Sequence, residues 1–91
     1  MICSHRYIKV NRKVMDNTQI FIRQEEQIKL YPDKVITASH HFMIRDILDI
    51  SFREMSGKSF LYLHTTSGLF SYLTEDHPHL FMKAYRLLKS N

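Results

Sequence analysis

Six histidines fall in a chain of 91 residues, and they are the side chains here best suited to chemistry. His77 and His79 stand two apart just ahead of an apolar run, and His40 and His41 are adjacent. A transition metal needs three or four converging ligands in fixed geometry. Adjacent histidines on a strand point to opposite faces, and no HExxH or CxxC grouping accompanies either pair. The plainer reading puts His77 and His79 in the polar first turn of a helix and His40 and His41 in a loop. No metal and no cofactor is therefore expected. His64 lies beside Thr65, Thr66 and Ser67, where a base next to hydroxyls would suit nucleophilic or acid–base chemistry. A triad also needs a carboxylate to orient the ring. Asp49 is the one candidate a neighbouring strand could supply, and no strained elbow presents a hydroxyl. Thr65-Thr66-Ser67-Gly68 reads instead as a hairpin turn in which Gly68 can take positive φ, and one glycine makes no phosphate-cradling loop. The chain is not expected to be an enzyme.

Two further groupings suit binding. Lys and Arg number 13 against 9 Asp and Glu, a net charge of +4. Arg6, Lys9, Arg12 and Lys13 account for all of it, with no acid among the first thirteen residues. Such a segment can contact the phosphates of nucleic acid or an anionic membrane; the plainer reading is a solvated stretch. Phe21, Phe60, Tyr62, Phe70 and Tyr72, with Arg23, Arg53 and Lys58 near them in sequence, could stack bases. Ribonucleoprotein-type sheets interleave helices with strands, however, and no helical pattern lies between residues 18 and 74. Phe60, Tyr62, Phe70 and Tyr72 are expected instead on a second sheet face, available to a second copy or to an added peptide strand.

The elements that must position these groups are plainest in the second half. Residues 47–53, 59–65 and 69–74 read as strands separated by Ser56-Gly57 and Ser67-Gly68, a three-strand meander. Alternation places Leu48, Ile50 and Phe52 on one face of the first, and Leu61 and Leu63 on one face of the second. For 69–74 either trio could be inside. Asp76-His77-Pro78 opens a helix, with Asp76 as cap and Pro78 tolerated in the first turn. Leu80, Phe81, Ala84, Leu87 and Leu88 recur as its apolar stripe. Earlier, Tyr31-Pro32-Asp33-Lys34 turns a hairpin over residues 27–38. Thr18–Arg23 alternates as a strand, Gln24-Glu25-Glu26 is polar and faces solvent, and Asp16-Asn17 can turn. Residues 1–17 are the least regular, with Tyr7, Ile8, Val10, Val14 and Met15 as an irregular strand and residues 1–6 as a flexible lead-in.

A chain of this length forms one domain, residues 1–91. One cysteine, Cys3, cannot form an internal disulfide, which suits a reducing, cytoplasmic setting. No signal peptide is expected, and the apolar runs are far shorter than a membrane helix requires. The strand ending Tyr31-Pro32-Asp33-Lys34-Val35, the strand Ile47-Leu48-Asp49-Ile50-Ser51, the run Leu61–Gly68 and the closing Asp76-His77-Pro78-His79-Leu80-Phe81 together resemble the small bacterial domains with a pleckstrin-homology-like fold. The resemblance spans residues 18–90 and rests on order and hydrophobic rhythm. It implies a mainly β, partly open barrel of about seven antiparallel strands, four in one sheet and three in another, with one end closed by the C-terminal helix. It also implies binding roles without inherent catalysis. Lipid-binding members carry basic residues on the first hairpin loop; here that loop, Asp16-Asn17 or Gln24-Glu25-Glu26, is neutral or acidic. The function expected is a non-catalytic binding or structural domain that meets a protein or peptide partner or a second copy of itself. The alternative is phosphate-bearing ligand binding through the N-terminal basic residues.

Overall fold

A computed structural model describes residues 1–90. Its strands are β1 (Cys3–Met15), β2 (Thr18–Leu30), β3 (Lys34–Ile36), β4 (His41–Met43), β5 (Ile47–Met55), β6 (Lys58–Thr65) and β7 (Gly68–Thr74), followed by the helix α1 (His79–Lys89). The order across the sheet is β4-β3-β2-β1-β7-β6-β5, and neighbouring strands pair antiparallel. The outermost strands, β4 and β5, are joined by only the 3-10 turn Ile44–Asp46. Such a link reaches about 14 Å, whereas seven strands laid flat would separate the two edges by about 29 Å. The sheet must therefore curl so that its edges meet at this turn. It remains one open sheet, because β4 and β5 do not pair.

The concave side holds a single core of Tyr7, Ile28, Leu30, Val35, Phe42, Ile47, Ile50, Leu61, Leu63 and Tyr72, capped by Phe81, Met82 and Tyr85 of α1. The helix stripe differs from the one read by eye. Leu80 is 69% exposed and Leu87 also faces water, while Met82 and Tyr85 are inside. At 100° per residue, Phe81, Met82, Tyr85 and Leu88 share one side, and Leu80 and Leu87 fall well round from it. Asp76 does not cap the helix through its side chain. Its carboxylate accepts from Arg6 at 3.1 Å, and Pro78 occupies the N-cap position. The other end of the helix is tied to the β4–β5 crossover. Tyr85 donates to the Ile47 carbonyl at 3.0 Å, and Lys89 donates to that of Ile44 at 3.0 Å.

The Tyr85 phenol is pushed up from 10.0 to about 12, chiefly by burial and then by the negative charge of Asp49. Because the folded value is the higher one, the native state keeps a proton that the unfolded chain releases. The associated stability is complete below about pH 10 and is lost as pH rises towards about 12. Denaturation midpoints should fall across that window, and Tyr85→Phe should flatten the fall. An equally steep fall in Tyr85→Phe would assign the alkaline sensitivity to another group.

Strand β5 contains a bulge. Ile47 pairs with Thr65 and Asp49 with His64, so Leu48 is an extra residue. The bulge puts Ile47 fully inside and leaves Leu48 64% exposed, whereas unbroken alternation had placed Leu48 with Ile50 and Phe52.

The N-terminal segment departs furthest from expectation. Cys3–Arg6 are not a loose lead-in: they pair with Gln27–Leu30, and the Ile2 N–H donates to the Leu30 carbonyl at 2.7 Å. Gln24-Glu25-Glu26 is not a hairpin loop either, since β1 and β2 form one ladder from Cys3↔Leu30 to Met15↔Thr18. Asp16 and Asn17 turn it with φ of 51° and 62°, the two left-handed residues of a type I′ turn, a conformation that Asp and Asn tolerate. Beyond Ile8↔Leu73, β1 has no further partner in β7. β3 covers the edge of β2 only at Lys29 and Leu30. The outer part of the hairpin is thus a two-stranded arm, and the molecule measures 53 Å along its length against 25 and 23 Å across.

Candidate interaction surface

The residues with catalytic potential do not assemble into a catalytic site. Ser51 Oγ and His64 Nε2 are hydrogen-bonded at 2.9 Å on the convex face, and Asp49 stands opposite His64 in the ladder. Among the described residues, the Asp49 carboxylate makes neither a hydrogen bond nor an ion pair to that ring. Ser51 lies mid-strand, paired with Tyr62, and not at a strained strand-to-helix turn. Three of the other histidines have local partners. His77 packs on Phe52 with centroids 4.1 Å apart, His40 lies against Phe42 and Phe70, and His5 Nε2 is 3.1 Å from the Asp76 carbonyl. No three metal-ligating side chains converge among the described residues. The Thr65–Gly68 segment is a closed turn: Thr65 Oγ1 accepts from the Ser67 N–H at 3.1 Å and donates to the Gly68 carbonyl at 2.8 Å.

The aromatic quartet is split between the two sides of the sheet. Phe60 pairs with Leu73 and Tyr62 with Ser71 on the convex side, whereas Tyr72 pairs with Leu61 and Phe70 with Leu63 on the concave side. Tyr72 is buried edge-on against Tyr7 with centroids 5.0 Å apart, and Phe70 meets Phe42 at 4.9 Å. The cause is the turn. Two residues, Thr66 and Ser67, link β6 to β7, so every even-numbered residue of β6 pairs with an odd-numbered one of β7, and paired residues share a face. Phe60 and Tyr62 therefore cannot stand beside Phe70 and Tyr72. The length of the turn was the signal that could have shown this.

The basic quartet is divided in the same way. Arg6 and Arg12 alternate with Lys9 and Lys13 along one strand, so the pairs face opposite sides. Arg6 is neutralised by Asp76 at 3.1 Å and Glu25 at 3.6 Å. Lys9 donates to Ser39 Oγ at 3.2 Å. Among the described residues, Arg12 and Lys13 reach the outer arm without such a partner, one on each face.

A cleft of about 420 Å³ opens where β1 and β7 part, with Ile8, Lys9, Phe60, Phe70, Tyr72 and Leu73 among its lining residues. Behind its wall the Tyr72 hydroxyl is buried without a hydrogen-bond partner among the described residues. Burial raises its pKa, opposed in part by the nearby Thr37. Thr37 Oγ1 already accepts the Ser39 and His40 N–H groups at 3.3 and 3.1 Å, which fills its acceptor sites.

The surface that sequence reasoning missed is the arm itself. Val10, Val14 and Met15 of β1 and Ile20, Phe21 and Ile22 of β2 are all exposed. The register sorts them onto both faces: Val10, Val14 and Phe21 on one, Met15, Ile20 and Ile22 on the other. The available signal was two apolar-rich strands joined by a two-residue turn, with apolar residues at both parities. That pattern describes a ribbon with no single buried side. No family model matches the chain, and no curated protein or solved structure matches it.

Proposed function

We propose that this chain is a non-catalytic binding domain of pleckstrin-homology-like architecture that works through protein contact, with the β1–β2 arm as its contact element. The observation that carries this reading is the apolar surface of the arm, exposed on both faces of a ribbon that runs past the core and meets the body through the Arg23–Glu75 ion pair at 3.9 Å and a cleft that Val10 and Phe21 share with Gly57 and Lys58. An isolated two-stranded ribbon is at best marginally stable in water. Contiguous exposed apolar surface of this kind is characteristic of interaction sites. The curled antiparallel sheet and the helix tied across the β4–β5 crossover support the architecture. The lone Cys3 suits a reducing, cytoplasmic setting, and no described helix is long and apolar enough to cross a membrane. Phosphate binding is the weaker reading, because alternation divides its cations between two faces and neighbouring acids neutralise one of them.

A photo-crosslinking residue placed at Phe21 should capture protein in an extract of the native cell, while the same residue at Leu80, equally open but on the body, should capture far less. Equal capture at both positions, or none at Phe21, would refute the arm as the contact element. Retention on duplex DNA or anionic vesicles that falls steeply with salt would instead favour the phosphate reading.

A further inference from the structure

We propose that the partner of the arm is a second copy of this chain, added antiparallel to the free edge of β2 about a two-fold axis at Phe21. This inference rests on the reading of the arm as the contact element and names what the arm contacts. The two long edges of the arm are both unpaired, but they differ in charge. Along β1 the free stretch Lys9–Val14 carries Lys9, Arg12 and Lys13. Antiparallel pairing of that edge with itself about Arg12 would set Arg12 against Arg12, and edge lysines are a common defence against strand addition. Along β2 the stretch Thr18-Gln19-Ile20-Phe21-Ile22-Arg23-Gln24 carries one charge and reads symmetrically about Phe21.

Pairing β2 with its copy in that register sets Phe21 against Phe21, Ile20 against Ile22, Gln19 against Arg23 and Thr18 against Gln24. Apolar residues meet apolar ones, polar meet polar, and no like charges stand opposed. The match is self-complementary, as an isologous dimer contact must be. Backbone geometry agrees. The two-residue turn closes on the hydrogen-bonded pair Met15↔Thr18, so the even-numbered residues of the arm in β2 spend their N–H and C=O groups on β1. Gln19, Phe21 and Arg23 direct theirs to the free edge. In the proposed dimer Phe21 exchanges both hydrogen bonds with its counterpart. Ile20 and Ile22 then form non-hydrogen-bonded pairs, with Cα atoms about 4.5 Å apart. The charged β1 edge on each outer side stops further addition, so assembly ends at two.

The intact chain should dimerise reversibly in sedimentation equilibrium. Added salt should leave the dimer unchanged or strengthen it, since each copy carries +4 and like charges are screened. Phe21→Lys, at an exposed position, should give a monomer with an unchanged thermal midpoint. Register is read by oxidation in a Cys3→Ala background. Phe21→Cys should form a covalent dimer at least about tenfold faster than Val14→Cys, because Val14 and its copy would stand three strand spacings apart across the sheet and four residues apart along it, about 20 Å in all, too far for a disulfide. Val14 is the matched control: both side chains are 63% exposed and lie on the same face of the arm. A wild-type monomer at every concentration overturns the dimer. In that case, capture of other proteins at Phe21 leaves the arm reading standing, and no capture removes both. A dimer in which the two cysteine variants oxidise equally overturns the β2 edge and its register.

Discussion

Phe81→Ala should destabilise the fold by about 3–5 kcal/mol, while Leu80→Ala, one residue away, should stay within about 0.5 kcal/mol of wild type. Domains of this size have total stabilities of about 5–15 kcal/mol, so the first change removes about a fifth or more of what holds the chain folded. Phe81 is 1% exposed in the single core cluster, and α1 is the only helix that packs against the sheet among the described residues. Loss of the ring leaves a cavity that the curled sheet can fill only by moving. Leu80 points to water and loses nothing that folding had buried. Urea titrations of both variants are the measurement, with constant m-values required for the comparison. Similar losses at the two positions would mean that the helix is rotated about its axis by roughly one residue, 100°.

Ile47→Ala should cost about 2–5 kcal/mol, and Leu48→Ala less than about 0.5 kcal/mol. Simple alternation along the strand demands the reverse order. Ile47 is fully buried at the crossover, and its carbonyl accepts the Tyr85 hydroxyl. Leu48 is the unpaired residue of the bulge and stands outside. Deleting Leu48 is the sharper version of the test. With the extra residue gone, Ile47, Asp49 and Ile50 would alternate inside, outside and inside without a slip. Deleting Asp49 in its place would carry Leu48 into the convex position opposite His64. A Leu48 deletion that unfolds the protein, beside a tolerated Asp49 deletion, would contradict the placement of the bulge.

These results matter for function because both elements hold the base of the arm in place. β1 and β2 enter the core through Tyr7, Ile28 and Leu30, and α1 packs on that same core. The arm is the extension of those two strands beyond their pairing with β3 and β7. Its exposure follows from β3 and β7 leaving early, after two residue pairs and one respectively. Variants at Phe21 or Ile22 should therefore change association without changing the folded body, whereas variants at Phe81 or Ile47 change the body itself.

Local chemistry was enough to place most elements. Pro32-Asp33 marks a turn by its fixed or tolerated dihedrals, Gly57 and Gly68 by positive φ, and Asp16-Asn17 by two residues that accept the left-handed region. Period-two alternation marked the later strands, and the interval of three and four residues after Pro78 marked the helix. Each of these signals is written within a few consecutive residues, so the sequence by itself determined the meander, the 27–38 hairpin and the closing helix. Which side of each element faces inward was a matter for the tertiary structure. A one-residue bulge at Leu48 reverses the start of β5, and a two-residue turn at Thr66-Ser67 fixes the parity that separates Phe60 and Tyr62 from Phe70 and Tyr72. Tyr85 is inside because its hydroxyl finds a carbonyl 38 positions away, a partner that no helical periodicity reveals. The arm belongs to the same class. Residues 9–24 read as an irregular strand, a turn and an alternating strand, and only the early departure of β3 and β7 leaves both edges unpaired and apolar residues exposed on both faces. Strand pattern is local, whereas burial depends on which distant segments cover a strand and where that cover ends.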